Sequence, residues 1–215
     1  GLFALQSYSM AVNRGIDIPF VFGGKINAAI LQGQFWRFIT PAFLHGSIYH
    51  ILFNMYALYI LGNRMESVYG HGRFLLLFLV SAFGGNTLSF VLSKSSSLGS
   101  STAIFGLFAA EFVFLMTNKK FYRGAFQGEI IRMVSLLAIN LFIGIAPGSN
   151  IDNFGHLGGL LAGAFYGLLT GPVWGPRREG AHLVVGDVRK KQEILLGTLV
   201  VLAAFSAIAA IPFLN

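Results

Sequence analysis

Charged residues interrupt this sequence so rarely that they leave six long uncharged stretches, and a chain of that kind has few ways to fold. Five of the six reach the roughly 18 residues that a helix needs to cross a bilayer, and the third does so if Glu111 is tolerated. The stretches are residues 38–63, 74–93, 95–110, 133–151, 153–176 and 194–215. With 55% apolar and 11% charged residues and a mean hydropathy of +0.70, the composition is that of a membrane protein.

These stretches predict six complete helices, and the N-terminus predicts part of a seventh. The complete helices are expected over residues 43–62, 72–93, 100–117, 130–147, 153–171 and 193–213. Residues 1–13 are apolar but too short to cross a bilayer, so we expect them to be the second half of a first helix truncated at its N-terminus.

The predicted fold is all-α, a polytopic transmembrane bundle with a six-helix core and one additional C-terminal helix. Residues 1–171 are expected to form the core, and residues 193–215 the appended seventh transmembrane helix. Between them, residues 172–192 are rich in Pro, Gly and charge, and are expected to be a basic cytoplasmic linker.

The basic residues predict how the chain is oriented in the bilayer. Eleven of the fifteen lie in or beside the second, fourth and sixth connections, which the positive-inside rule places in the cytoplasm. They are Arg64, Arg73, Lys119, Lys120, Arg123, Arg132, Arg177, Arg178, Arg189, Lys190 and Lys191. We therefore expect the net charge of +7 to orient the chain in the lipid bilayer, and we expect no nucleic-acid partner. The absence of Cys excludes disulfides and thiol chemistry.

Three of the predicted helices carry polar residues close to their outer ends. Ionisable or strongly polar groups at membrane depth are costly, and they are candidates for function. One helix carries Ser101 beside Ser100 and Thr102, a second carries His156, and a third carries His45, His50 and Asn54. A nucleophile, a base and two hydrogen-bond donors at one depth are the minimum set for acyl transfer.

Small residues at helical spacing predict that two of these helices pack closely. Glycines recur at positions 155, 159, 163 and 167, and a matching stripe runs through Thr102, Gly106 and Ala110. Such stripes let helix backbones approach one another. Packing the two stripes together is expected to bring His156 toward Ser101.

Each of these features also has a purely structural interpretation. A Ser in a membrane helix can bond the carbonyl four residues back, a lone His can bridge two helices, and glycines pack in any bundle. Other chemistries fit less well, because the sequence around Ser101 lacks G-x-S-x-G and the five histidines never form H-E-x-x-H. The three aspartates, Asp17, Asp152 and Asp187, lie outside the helix interiors, so no aspartyl dyad and no metal site are expected.

The pattern of motifs resembles the rhomboid family of intramembrane serine proteases. The resemblance covers nearly the whole chain through residue 171, and the seventh helix is similar to the six-plus-one arrangement of part of that family. The residues that carry it are Trp36-Arg37, His45, His50 with Asn54, Glu66 with Gly70, Gly99-Ser100-Ser101 and Gly155-His156-Leu157-Gly158-Gly159.

The resemblance implies a role for each site residue. Ser101 is expected to be the nucleophile and His156 the base of a Ser-His dyad without an acidic third member. The backbone amide of Ser101, with His50 and Asn54, is expected to form the oxyanion hole, and Gly99 to allow the loop its close approach. Trp36-Arg37 would belong to a membrane-embedded first loop, and Glu66 and Gly70 would be structural. No metal and no cofactor are implied.

Three residues near the nucleophile add to this interpretation. Thr102 stands where the family commonly has Gly. Phe105 follows Ser101 by four residues, on the same helical face, and is expected to pack on the imidazole. Glu111 lies deeper in the helix, where we expect it to extend toward the cytoplasmic edge.

The predicted function is that of an intramembrane serine endopeptidase cleaving single-span membrane proteins near their outer ends. The alternative is a non-catalytic rhomboid-like protein that binds membrane helices or serves as a subunit of a larger membrane complex. A channel or transporter is a third alternative, although it needs polar groups across the full membrane depth. A bacterial plasma membrane is the expected location, and a plastid inner membrane is the second candidate.

Overall fold

The computed structural model describes residues 1–145, 151–180 and 182–214, and most of them are helical. The helices are α1 Leu2–Val12, α2 Ile18–Gly23, α3 Asn27–Leu31, α4 Ile48–Ala57, α5 Asn63–Tyr69, α6 His71–Leu92, α7 Ser101–Thr117, α8 Phe126–Ile145, α9 Asn153–Thr170 and α10 Lys191–Ala210. A π-helical turn, Leu58–Gly62, joins α4 to α5 without a break. Two short antiparallel strands, β1 Trp174–Glu179 and β2 His182–Asp187, form a hairpin between α9 and α10.

Helices α6, α7 and α9 form the centre of the bundle. Each of the three packs against the other two, and α10 lies against α6 and α9. The main core is built from side chains such as Leu77, Leu107, Leu115 and Tyr166, each with none of its surface exposed. The polar starts of α7 and α9 therefore lie at the same end of the bundle, beside the end of α6.

Glycines hold α7 and α9 at backbone contact distance, which confirms the predicted packing of the two stripes. A Cβ added at Gly159 would lie 2.0 Å from the carbonyl oxygen of Thr102, and one at Gly163 would lie 2.1 Å from that of Gly106. One turn further, a Cβ at Gly167 would lie 3.1 Å from Ala110 Cα. Any side chain at the first two positions would push the helices apart.

Most helix boundaries lie within a few residues of the predictions, but α8 begins at Phe126 where residue 130 was expected, and α4 needs a correction. The prediction placed its start at residue 43, but the helix begins at Ile48, where the hydroxyl of Ser47 accepts a hydrogen bond from His50 N at 3.1 Å. His45 therefore precedes the helix, and the predicted end at 62 is wrong because the helical path runs on to Tyr69. Residues 146 and 147 of the predicted helix 130–147 lie outside the described residues.

The segment 172–192 departs from the expectation of an all-α fold with a plain linker. It forms the β1–β2 hairpin, whose base is fixed to the helix ends. Trp174 packs edge-on against Phe114 of α7 and is stacked with Tyr122. The strands contain Gly175, Pro176 and Gly186. These residues interrupt the alternation of apolar and polar residues by which a strand is recognised in a sequence.

Two of the described helices are by themselves long and apolar enough to cross a bilayer. They are His71–Leu92 and Lys191–Phe213, the second including a terminal 3-10 turn. Leu2–Val12 and Ser101–Thr117 are apolar but shorter. Length and composition thus support two of the six predicted complete spans, and the remaining spans stay predictions.

Glu111 does not extend to the membrane edge as expected. Its side chain is 1% exposed, and its Oε1 accepts from Arg64 Nε at 2.9 Å and from Arg132 Nη2 at 2.8 Å. Glu129 also contacts both arginines. Burial acts to raise the pKa of Glu129, but hydrogen bonds and charge from Arg64 and Arg132 outweigh it and lower that pKa. The four residues join α5, α7 and α8 opposite the Ser101 end.

The first connection is ordered by side chains that bond its own backbone. Arg37 is buried, and its guanidinium donates to the carbonyls of Gly24 at 2.6 Å and Val21 at 2.7 Å. The indole of Trp36 donates to the carbonyl of Phe22 at 3.0 Å. This connection is therefore a compact unit built around Trp36-Arg37.

Glu111→Gln should lower the free energy of unfolding by about 1–3 kcal/mol, because Arg64 and Arg132 each lose a buried carboxylate partner and keep only Glu129. The matched control is Glu66→Gln, since Glu66 pairs with His71, whose side chain is 94% exposed. We expect the control to cost less than about 1 kcal/mol. Equal losses in thermal unfolding of the two variants in one detergent would contradict this assignment.

Gly163→Ala should lower the free energy of unfolding by about 1–3 kcal/mol, because its methyl group has no space against the α7 backbone. Gly72→Ala is the control, since a Cβ there meets nothing within 4 Å. Unfolding is followed by heating both variants in the same detergent. A Gly163→Ala variant as stable as the control would argue against backbone contact between α7 and α9.

Candidate active site

The first residue of α7 is hydrogen-bonded to a histidine on the first turn of α9. Ser101 Oγ lies 2.8 Å from His156 Nε2, and the histidine is 6% exposed. When Nε2 accepts the hydroxyl proton, Nδ1 carries the proton of the neutral ring. Nδ1 is buried and has no hydrogen-bond partner in the described part of the chain. No described carboxylate is therefore bonded to the ring.

Phe105 orients the imidazole of His156 by stacking on it. The ring centroids are 4.1 Å apart, and the planes are inclined by 12°. This contact confirms the expectation that the aromatic residue one turn after Ser101 packs on the histidine. A flat ring held against the imidazole restricts its rotation while leaving the edge that carries Nε2 free to face Ser101.

Asp152 fixes the start of α9, on which His156 lies. Its Oδ1 accepts a hydrogen bond from Gly155 N at 2.8 Å, which caps the helix. Its Oδ2 accepts from the Ser89 hydroxyl of α6 at 2.5 Å. Asp152 therefore acts on the helix start and joins it to α6, while His156 receives its orientation from Phe105.

Thr102, the residue after Ser101, fits because glycines face it from two helices. It is 5% exposed, and a Cβ added at Gly85 of α6 would lie 2.6 Å from Thr102 Cβ. A Cβ at Gly155 of α9 would lie 3.0 Å from Thr102 Cγ2. The extra methyl group thus occupies space between α6 and α9.

Gly99 separates Ser101 from His50 of α4. Its φ of +126° lies where side chains are rarely tolerated, and an added Cβ would lie 2.6 Å from His50 Nε2 and 3.6 Å from Ser101 Oγ. Only glycine fits between the two side chains. The structure thus brings Ser101, His156, Gly99 and His50 together, as the sequence predicted they would lie.

Asn54 lies one helical turn beyond His50 on the same face of α4. It is 7% exposed, and its Nδ2 is buried without a hydrogen-bond partner in the described part of the chain. A buried amide that donates to nothing in the protein is costly. The donor is therefore available to a group that enters the site.

A second Ser-His pair lies next to the first. His45 Nε2 is 3.4 Å from Ser100 Oγ, and the rings of His45 and His50 meet edge to face with centroids 5.2 Å apart. The backbone amide of His45 donates to Gln6 Oε1 of α1 at 3.0 Å. No role for His45 could be predicted from local spacing, because its contacts come from α1, α4 and the loop before α7.

Lys25 is a site-supporting residue that the sequence did not predict. Its side chain is buried, and Nζ donates to the carbonyls of Ser93 at 3.1 Å and Ser95 at 2.8 Å. Its backbone also pairs with Ser97 in both directions. Burial lowers the pKa of Lys25 to about 8, and the charge of Asp152 acts in the opposite direction. Lys25 thus anchors the segment that leads to Gly99 and Ser101.

No cluster of three or more His, Cys, Asp or Glu side chains suitable for a metal ion occurs in residues 1–145, 151–180 and 182–214. Glu66 and Gly70, predicted to be structural, lie away from Ser101. Glu66 pairs with His71, and Gly70 ends α5 with a φ of +74°.

Comparison with known proteins gives both a family and named relatives. Residues 32–173 match the family model described as the Rhomboid domain. The chain is 41% identical over 188 residues to "Rhomboid protease GluP" of Bacillus subtilis, and the aligned region covers 84% of this chain and 36% of that protein. It is 35% identical over 172 residues to "Rhomboid-like protease 1" of Toxoplasma gondii, covering 75% of this chain and 58% of that one.

A plant relative extends the range of organisms. "RHOMBOID-like protein 9, chloroplastic" of Arabidopsis thaliana is 31% identical over 185 residues, covering 81% of this chain and 41% of that protein. The chain thus spans between about a third and three fifths of the length of these relatives. The match to the Rhomboid domain covers well over half of the chain, and with it the helices that bear Ser101, His50 and His156. The chain is an integral membrane protein and belongs to the rhomboid family.

Proposed function

We propose that this chain is an intramembrane serine endopeptidase that cleaves transmembrane-helix substrates with a Ser-His dyad. The observation that carries the proposal is the 2.8 Å contact between Ser101 Oγ and His156 Nε2 at one end of an apolar bundle. Two relatives whose names contain the word protease support it. The substrates proposed are single-span membrane proteins.

The proposed reaction begins with attack by Ser101 Oγ on a backbone carbonyl carbon of the substrate. The hydroxyl proton passes to His156 Nε2, and the carbonyl oxygen becomes an oxyanion. Collapse of this intermediate breaks the C–N bond, and the departing amine takes the proton from His156. A water molecule, deprotonated by His156, then hydrolyses the ester on Ser101 and releases the acid product.

We assign the oxyanion hole to the backbone amide of Ser101 with His50 and Asn54. His50 faces Ser101 across Gly99, and Asn54 holds a buried amide donor without a partner in the described chain. Donors fixed in a site sheltered from water stabilise developing negative charge without having to reorganise. Gly99 contributes by letting His50 and Ser101 approach.

The proposed arrangement in the membrane is a six-helix core, residues 1–171, followed by a cytoplasmic segment, 172–192, and a seventh helix, 193–215. The bias of basic residues toward the second, fourth and sixth connections supports this arrangement, in which Ser101 is expected near the outer face. Cleavage is then expected near the outer ends of substrates. We propose a bacterial plasma membrane, with a plastid inner membrane as the second candidate.

Ser101→Ala and His156→Ala should each abolish cleavage and labelling by a fluorophosphonate probe, because each removes one of the two side chains that are proposed to react together. The double variant should be no slower than either single variant. Ser100→Ala is the matched control, since it removes the neighbouring hydroxyl, which contacts His45. We expect the control to keep its labelling, and all variants to keep their thermal unfolding temperature within a few degrees.

Labelling is measured on the detergent-solubilised chain, and turnover with a reporter that contains one transmembrane helix. Loss of labelling in Ser100→Ala but not in Ser101→Ala would show that the nucleophile is misassigned. Losses of turnover that add up in the double variant would show that Ser101 and His156 do not act together.

His50→Ala and Asn54→Ala should each lower turnover by about 10- to 1000-fold, with a much smaller effect on substrate binding. The reason is that the donors act on charge that exists only in the transition state. Turnover and binding of the same reporter are measured in one detergent. Folding is checked by thermal unfolding.

The same experiment separates the protease from a non-catalytic rhomboid-like protein. A protein that only binds membrane helices would show altered affinity or stability in these variants and no cleavage in the unaltered chain. Unchanged turnover in both folded variants would show that His50 and Asn54 do not form the oxyanion hole.

A further inference from the structure

The base of the β1–β2 hairpin is attached to the helix ends that lie opposite the Ser101 site. Asp187 accepts from Arg73 Nη2 of α6 at 2.5 Å and from Val173 N at 3.0 Å. Asn118, at the end of α7, donates to the carbonyl of Pro172 and accepts from Trp174 N at 2.7 Å. Because both strands are anchored, the hairpin has a defined position on the bundle.

The half of the hairpin that lies farther from its anchored base has an exposed apolar face. Arg178 stands opposite Leu183, and Pro176 opposite Val185. Residues directly opposite each other in an antiparallel pair point to the same side, so these four share a face. Leu183 is 76% exposed and Val185 is 61% exposed. Two adjacent apolar side chains on a short exposed strand indicate a surface that meets something other than water.

The segment also has positive charge that the described chain does not neutralise. Its two acidic residues are already engaged, Glu179 with Arg177 and Asp187 with Arg73. Three basic side chains, by contrast, are exposed and make no ion pair in the described residues. They are Arg178, Lys190 and Lys191.

The distance to the membrane favours lipid as the partner of this surface. Lys191 begins the apolar helix Lys191–Phe213, which is long enough to span a bilayer, so Lys191 lies at a bilayer boundary. Asp187, the last residue of β2, is four residues earlier, a reach of at most about 14 Å. A strand of six residues extends about 20 Å, so a hairpin that starts this close to the boundary is able to lie along the headgroups.

We propose that the β1–β2 hairpin lies on the membrane surface and binds anionic lipids. Leu183 and Val185 enter the boundary between headgroups and acyl chains, while Arg178, Lys190 and Lys191 contact lipid phosphates. The combination of apolar and basic side chains is the one by which surface elements bind charged bilayers. This inference requires α10 to span the membrane, and it does not depend on proteolytic activity.

The absence of cysteine allows a direct test with single spin labels. Leu183→Cys carries a nitroxide on the proposed lipid face, and His182→Cys, also exposed, carries one on the opposite face. The full chain is placed in bilayers of phosphatidylcholine alone or mixed with phosphatidylglycerol. Collisions with oxygen, which is lipid-soluble, and with a water-soluble nickel complex report the depth of each label.

The label at position 183 should become several-fold less accessible to nickel in the mixed bilayers, while the label at 182 should stay accessible. Adding Arg178→Glu and Lys190→Glu should restore access at position 183. These residues are exposed, so the variants are expected to fold, and thermal unfolding verifies it.

Three results would overturn the proposal. Equal nickel access at 182 and 183 in mixed bilayers would show that the hairpin stands in water. The same shielding of position 183 in both bilayers would show that anionic lipid is not recognised. Spin–spin broadening between labels at position 183 in the mixed bilayers would show that a second copy covers the surface.

Discussion

The contact of helix backbones at glycines is the constraint on which the rest of this molecule depends. In a bilayer the hydrophobic effect does not draw helices together, so association relies on close packing and hydrogen bonds. Gly159 and Gly163 of α9 press against carbonyl oxygens of α7, and Gly158 presses against that of Gly84 in α6. The reach of Ser101 to His156 is a direct result, because neither side chain is long.

Buried polar groups are concentrated at the two ends of this packed centre, and each end is organised by a buried charge. Lys25 donates to two carbonyls of the segment before Ser101, and Glu111 accepts from two arginines at the far end. A buried charge is tolerated only when it is paired or hydrogen-bonded. The charges therefore fix loops and helix ends, while the middle of the bundle is held by apolar contact.

The features that the sequence predicted are those encoded by local spacing. Uncharged stretches predicted the helix positions, the four-residue interval predicted that Phe105 would meet His156, and the glycine stripes predicted which helices would pack. The features that it missed depend on distant partners. Glu111 is matched by Arg64 and Arg132 on two other helices, and Lys25 by backbone groups some seventy residues away. The prediction for α4 starts too early because Ser47 caps the helix and sets its first turn. The hairpin is not predicted because glycine and proline interrupt the strand pattern.

Helix α4 is attached to the bundle far more weakly than α7 and α9 are to each other, for Asn54 is its only buried residue. Segments with few buried contacts open locally at much lower free energy than the whole fold. Helix α4, which carries His50 and Asn54, is thus expected to open more readily than α7 and α9, which carry Ser101 and His156. In the proposed protease, fluctuations of α4 would then move His50 and Asn54 away without separating Ser101 from His156, so the fraction of molecules with a complete site would depend on how often α4 opens.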